Sequence, residues 1–185
     1  MNPVASPVIS LSTLLNPRSV AIIGASDDPA RIGGRPIHAM RKLGYAGRIL
    51  PVNPNRREVQ GLPAYASVAD LPEVPDVAVV AVPAAQVLDT VTALGERGTR
   101  AAILFSAGFA EIGGDGVTRQ AELLAAARRS GLRLLGPNAL GLINVRTGFV
   151  GSFASSISLG PIQAGHVGIV SQSGAYGGHL VMAAQ

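Results

Sequence analysis

The stretch SVAIIGASDDPARIGG, residues 19–34, decides the fold class. Its first five residues, Ser19–Ile23, are a short apolar run with turn signals after it, the pattern of a strand buried on both faces. Residues 24–34 form a glycine-bearing loop. Residues 34–43 then read as a helix with Ile37 and Met40 turned inward and Gly44 to end it. Strand, glycine loop and helix in that order open a βαβ unit. A helix start near Gly33 and Gly34 offers unpaired N–H groups to a phosphate, and Arg31 and Arg35 flank that start. An ordinary βα loop with surface arginines is the plainer alternative.

The same alternation continues outward. Arg48–Val52 is a second strand, stopped by Asn53 and Pro54. Residues 55–75 are a longer connection with turn signals at Gly61, Pro63, Pro72 and Pro75. The run DVAVVAV, residues 76–82, is the clearest strand of the chain. Pro83 then opens a helix where its missing N–H costs nothing, and Val87, Leu88, Val91 and Leu94 give that helix one apolar face. Residues 99–105 read as a strand, 117–130 as a helix closed by Gly131, and 132–135 as a fifth strand. Strands spaced by helices imply an α/β architecture: a parallel sheet with helices on both faces. Ligands of such sheets bind at the carboxyl ends of the strands.

The residues at those ends narrow the ligand. The loop after the first strand lacks G-x-G-x-x-G spacing. The second strand ends in Asn53, Asn55, Arg56 and Arg57, with no acid to accept hydrogen bonds from a ribose 2′-OH. Arginine there suits a ribose phosphate, which leaves NADP or the 3′-phosphate of coenzyme A; a solvent-exposed arginine pair is the alternative. Val82 and Pro83 end the third strand, and Phe105, Ser106 and Ala107 the fourth, giving a small-residue shelf along which an adenine or a pantetheine arm fits. Packing and turn chemistry alone account for Pro83 equally well. Asn138, after the fifth strand, either faces the same crevice or serves as a turn residue.

Composition sets the outer limits. The chain has 185 residues, 48% hydrophobic, 4% aromatic and 14% charged, with no Trp and no Cys. The core is therefore aliphatic, and disulfides and thiolate metal sites are excluded. No metal site and no catalytic constellation is read from the sequence. The first fifteen residues carry no Lys or Arg, unlike a secretory signal. The longest apolar runs, 77–82 and 101–105, fall far short of the roughly 20 residues of a membrane span. These features lead us to expect a cytoplasmic protein. Residues 1–60 hold eight basic and three acidic side chains, and residues 61–185 seven and eight. The positive charge around the first βαβ unit favours an anionic ligand there. It is not the dense, aromatic-interleaved patch of a nucleic-acid binder.

Near the end the chain reads HVGIVSQSGAYGG, residues 166–178, which we expect to be a new strand running into a new helix, with serines and glycines making a second anion site at its start. The pieces SVAIIGAS, LPVNPNRREVQGLPAY, VAVVAVPA, ILFSAGFAE, LLGPNALG and VGIVSQSGA, in this order over residues 19–175, resemble the NDP-forming acyl-CoA synthetase superfamily. That superfamily includes the α-subunit of succinyl-CoA ligase and the ADP-forming acetyl-CoA ligases. The resemblance implies a Rossmann-type domain that binds coenzyme A or acyl-CoA, followed by the start of a flavodoxin-like domain of the succinyl-CoA-ligase type.

Carried across residue by residue, the resemblance implies that Gly24, Ser26, Arg31, Ile32 and Gly33 hold the nucleotide part of the cofactor. Arg56, beside Asn53, stands where succinyl-CoA ligase has a coenzyme A-binding lysine. Phe105, Ser106 and Ala107 match the stretch that lines the cofactor, and Val82, Pro83 and Asn138 match positions near it. Ser171, Ser173 and Gly174 match a helix start that stabilises a phosphohistidine. The family reaction passes through an acyl phosphate, a phosphohistidine and an ATP-grasp domain, which the resemblance implies as a partner domain or subunit; a homo-oligomer is a further expectation. His38, His166 and His179 do not match the phosphorylated position, and Gly178 replaces a substrate-pocket tyrosine of the succinate enzymes.

The expected organisation is a flexible arm over 1–15, a coenzyme A-binding domain over 16–145, a connector over 146–165 and a truncated second domain over 166–185. A stand-alone coenzyme A-binding module and the coenzyme A-sensing domain of a protein acetyltransferase are the alternatives to a ligase. An NADP-dependent oxidoreductase is a third, disfavoured by the missing glycine fingerprint.

Overall fold

Five runs of Val, Ile, Leu and Ala must hide both faces from water, and a parallel sheet between two helical layers is the arrangement that does so. The computed structural model describes residues 11–158 and 162–183. Its elements are α1 (Ser12–Leu15), β1 (Ser19–Ile23), α2 (Arg35–Lys42), β2 (Arg48–Val52), β3 (Glu58–Val59), β4 (Leu62–Pro63), β5 (Val77–Val80) and α3 (Ala84–Arg97). They continue with β6 (Ala101–Leu104), a 3-10 turn (Ala110–Ile112), α4 (Asp115–Ser130), β7 (Arg133–Leu135), β8 (Gly141–Asn144), β9 (Phe149–Ser152), a second 3-10 turn (Ser155–Ser158) and α5 (Gly174–Ala183).

The main sheet has the order β2-β1-β5-β6-β7, and every pairing is parallel. Register places Ile22 beside Val79, Val79 beside Ile103 and Ile103 beside Leu135. Side chains alternate between faces. Val20, Ile22, Val77, Val79 and Ile103 pack with Ile37 and Met40 of α2. Ala21, Ile23, Ala78, Val80 and Leu104 pack with Val87, Val91 and Leu94 of α3 and Leu123 of α4. The chain runs from β1 to β2 on one side and then crosses back to β5 on the other side of β1. Strand order therefore reverses at β1, and the crevice over the β1 and β5 ends is the switch point where such sheets take ligands.

The structure revises four expectations. Residues 11–15, read as part of a flexible arm, include the helical turn α1; Leu14 packs against the core, and Asn144 Nδ2 donates to the carbonyl of Leu15 at 2.8 Å. Residues 1–10 lie outside the described residues. The long connection after β2 contains the two-residue antiparallel pair β3–β4. The expected boundary between 145 and 146 falls inside a hairpin, because β8 and β9 pair antiparallel from Gly141–Ser152 to Asn144–Phe149. Phe149 and Val150 are fully buried in the core, and Phe149 meets the ring of Tyr45 at 6.0 Å. Residues 166–170 form no strand: no described strand lies beside them to complete a ladder, and Val167 and Val170 stay exposed.

Several arginines brace the strand entrances. The backbone N–H and Nε of Arg18 both donate to Asp76 Oδ2, at 2.9 and 3.2 Å. Burial pushes the Asp76 carboxyl up, but the Arg18 hydrogen bonds and charge outweigh it and hold the group below its ordinary value. Arg48 pairs with Glu73, and Arg97 donates to the carbonyls of Ala69 and Leu71. Tyr45 donates its hydroxyl to Pro17 O at 2.8 Å, and burial pushes its pKa up to about 12.

Because Phe149 fills the layer between the hairpin and α2, Phe149→Ala should cost about 3–5 kcal/mol, the usual loss for emptying a buried aromatic site. Urea unfolding should show one transition at a lower midpoint. A loss under about 1 kcal/mol would place the hairpin outside the cooperative unit.

Candidate functional site

The loop after β1 folds back on itself because two glycines let it. Gly24 has φ +83°, and a Cβ there would lie 2.5 Å from the carbonyl oxygen of Ala81. A Cβ on Gly33 would lie 2.0 Å from the carbonyl oxygen of Gly24. Only glycine permits that approach, and it seats the start of α2 over the end of β1. The N–H groups of Gly24 and Ala25 both donate to Val52 O at 3.1 Å, binding the loop to the end of β2. Arg31 N–H donates to Asp28 O, and those of Gly34 and Arg35 donate to Arg31 O. Among the described residues, the N–H groups of Ile32 and Gly33 have no hydrogen-bond acceptor. They lie just before the positive end of α2, an arrangement suited to an anion.

Beside them is a cleft of about 450 Å³ lined by Ser26, Asp27, Asp28, Arg31, Asn53 and Arg56. Asn53 is fixed by its own bonds: Nδ2 donates to Ala25 O at 2.8 Å, and Oδ1 accepts from Asn55 N–H at 2.8 Å. Its side chain thus braces the loop from the wall of the cleft. The two cleft arginines are each loosely matched by an aspartate, Arg31 to Asp28 and Arg56 to Asp27, both at 3.8 Å. All four side chains are more than half exposed. Such pairs contribute little in water, so a phosphate can displace the carboxylates at small cost. Arg35, which the sequence places at the same helix start, is tied down instead: it donates to Ala30 O at 3.0 Å and Phe153 O at 2.9 Å. Ile32 has an exposed side chain, so only its backbone faces the anion position.

The ends of β5, β6 and β7 are stitched into one shelf. Ser106 Oγ donates to Val82 O at 2.6 Å, and the Asn138 N–H donates to Ser106 O at 2.9 Å. Pro83, Ala107 and Asn138 are exposed along it, and Val82 and Ser106 half-buried. Asn138 itself has φ +54° after the cis Gly136–Pro137 bond, the conformation of a turn residue. Phe105 departs from the expectation: its side chain is buried in the core against Phe153, at 4.8 Å between ring centres, so at most its backbone lines the shelf.

Two residues missed in the sequence organise these loops. Glu111 accepts from the N–H groups of Gly108 and Phe109, at 2.5 and 3.2 Å, and fixes the turn after Ser106 and Ala107. Those bonds, the one from Gly108 foremost, hold its carboxyl below the ordinary value. Gln60 spans the first loop from the β3–β4 turn. Glu111 acts within its own turn, on residues two and three positions before it, whereas Gln60 reaches a loop distant in sequence and so has no local pattern.

Ser171, Ser173 and Gly174 form a separate group at the start of α5. Ser171 Oγ donates to Ser173 O at 2.8 Å and accepts from Ser173 N–H, and Ser173 Oγ accepts from Tyr176 N–H at 3.4 Å. A Cβ on Gly174 would meet Leu140 at 2.9 Å, which sets this helix start against the loop after β7. It does not line the cleft. A second cavity, about 480 Å³, lies at the sheet edge between α4 and β7 and is lined largely by leucines, including Leu11, Leu14, Leu123 and Leu134. It is slightly larger than the cleft and more apolar in its lining. Among the described residues no group of His, Asp and Glu is placed to hold a metal, and no helix is long and apolar enough to cross a membrane.

Comparison with known proteins gives the family and the fold. A family model described as "CoA binding domain" matches residues 18–144. The α-subunit of an ADP-forming acetate–CoA ligase II from Pyrococcus furiosus is 35% identical over 171 residues, covering 92% of this chain and 36% of that protein. A trans-feruloyl-CoA synthase from an unknown prokaryotic organism is 41% identical over 174 residues, covering 94% of this chain and 25% of that protein. The apo structure of dinucleotide-forming acetyl-coenzyme A synthetase 1 from Ca. Korarchaeum cryptofilum superposes with a TM-score of 0.86 at 34% identity, covering 94% of this chain and 37% of that one. The chain thus spans roughly a quarter to a third of the length of these proteins.

Glu111→Gln should weaken the loop after β6 in a pH-dependent way. The lowered carboxyl contributes stability that is present above the unfolded value, about 4.3, and is lost as pH falls through the lower folded value. Melting temperatures of the chain and the variant should differ by a constant amount above about pH 5.5 and converge below about pH 4. A difference independent of pH would mean that the carboxylate does not hold the loop.

Proposed function

The chain belongs to the CoA binding domain family, and on that premise we propose that it holds coenzyme A across the carboxyl end of its sheet as the cofactor-carrying part of an ADP-forming acyl-CoA ligase. The observation that supports the placement is a cleft lined by two lightly paired arginines, Arg31 and Arg56, next in sequence to the unsatisfied N–H groups of Ile32 and Gly33 at the start of α2. The diphosphate takes the N–H groups and Arg31. The 3′-phosphate takes Arg56, whose planar guanidinium matches it in a bidentate manner. The pantetheine arm runs over Val82, Pro83, Ser106 and Ala107 toward Asn138.

In this reading the chain binds and orients, and the acyl-transfer chemistry belongs to the larger enzyme. Coenzyme A is a substrate, the acyl acceptor. An ATP-grasp domain or subunit supplies the nucleotide step, as the likeness to a ligase α-subunit suggests. The helix start at Ser171, Ser173 and Gly174 serves the phosphoryl group on that side of the reaction. His38, His166 and His179 are surface residues with no phosphoryl-carrying role. The acyl group differs among the relatives, which include an acetate ligase and a feruloyl-CoA synthase.

Calorimetric titration with coenzyme A, 3′-dephospho-coenzyme A, NADP and NAD tests the placement. Coenzyme A should bind best. Loss of the 3′-phosphate, or Arg56→Ala, should each weaken binding roughly tenfold or more, the usual value of a charge-assisted contact, and combining them should add little. Tighter binding of NADP than of coenzyme A would overturn the reading.

A further inference from the structure

The turn between β3 and β4 contains Gln60 at φ +50°, a left-handed conformation that a residue with a side chain adopts only when its surroundings impose it. Four polar contacts impose it here. Its Nε2 donates to the carbonyls of Ser26 and Gly34, at 3.0 Å each. Its backbone N–H donates to Asp27 Oδ1 at 2.7 Å. Its carbonyl accepts from Arg41 on α2. Both neighbours of the side-chain nitrogen are acceptors, so the orientation of the amide is fixed by chemistry.

Ser26 and Gly34 are the two ends of the segment that carries the free N–H groups of Ile32 and Gly33. One amide therefore uses both its protons to fix the span of the anion loop. The other oxygen of Asp27 lies 3.8 Å from Arg56 Nη1, so the same turn also reaches the cleft arginine. Without this bridge the ligand itself would have to order the loop, and affinity would fall by that cost.

We propose that Gln60 is the positioning residue of the coenzyme A site: its side-chain amide fixes the two ends of the phosphate loop, Ser26 and Gly34, and so holds that loop in its binding shape. This rests on the reading above that the cleft takes the phosphates of coenzyme A. Gln60 touches no ligand in this account and acts only through the loop.

Two variants test it. Gln60→Gly removes the amide and relieves the left-handed backbone, so the chain still folds. Gln60→Glu sets a carboxylate against two carbonyl oxygens, and protonation returns one donor. Titration with coenzyme A at about pH 7.5 should show both variants weaker than the unaltered chain by on the order of tenfold, the value of two neutral hydrogen bonds. At about pH 5.5, where a glutamate facing acceptors takes up its proton, Gln60→Glu should recover to within roughly threefold of the unaltered chain, and Gln60→Gly should not. Wild-type affinity in both variants would overturn this proposal and leave the cleft assignment standing. So would equal weakening of both at each pH, the mark of a merely structural turn. Failure of the unaltered chain to bind coenzyme A would overturn the assignment and the proposal together.

Discussion

The contact between position 33 and the carbonyl of Gly24 is the constraint on which the site depends. With no side chain at 33, the start of α2 settles onto the end of β1, and any Cβ would hold the two apart. This seating leaves the N–H groups of Ile32 and Gly33 without an acceptor among the described residues, next in sequence to Arg31 of the cleft. It also lays Ile37 and Met40 on the sheet, and with them the face that receives Phe149 from the hairpin. The ligand-binding geometry and one half of the core therefore share a single close approach. The β3–β4 turn closes the same loop from outside, through hydrogen bonds rather than packing.

Much of this fold was legible because its strands are buried on both faces. Runs such as DVAVVAV leave no solvent-facing alternative, and Pro83, Gly98 and Gly131 mark helix ends through their own backbone chemistry. The missed elements are short and take their stability from partners distant in sequence. β3 and β4 have two residues each, and the β8–β9 hairpin is recognisable only once Phe149 and Val150 meet the core. Residues 166–170 show the converse. They have the composition of a buried strand, yet composition builds no strand without a neighbour to pair with.

The site was legible in part for the same reason. The glycines and the absent acid after β2 are local facts, and the structure brings the residues around them together in one cleft. The charge count did not discriminate. Arg18, Arg35, Arg41 and Arg48 contribute to the basic first sixty residues, yet each holds a carboxylate or a carbonyl of the fold. Arg31 and Arg56 are the cleft arginines, and Asp27 and Asp28 offset them. The cleft is thus close to neutral as it stands, so net charge alone does not mark it as an anion site. Phe105 illustrates the limit of reading function from a motif: the residue sits at the strand end as expected, but its ring completes the core.

Amide chemical shifts of the labelled chain, followed during titration with coenzyme A, address the central claim most directly. The account requires the largest changes at Ile32 and Gly33, with smaller ones along 106–108. Changes centred on Leu123 and Leu134 in the α4–β7 groove, with Ile32 and Gly33 unmoved, would contradict it.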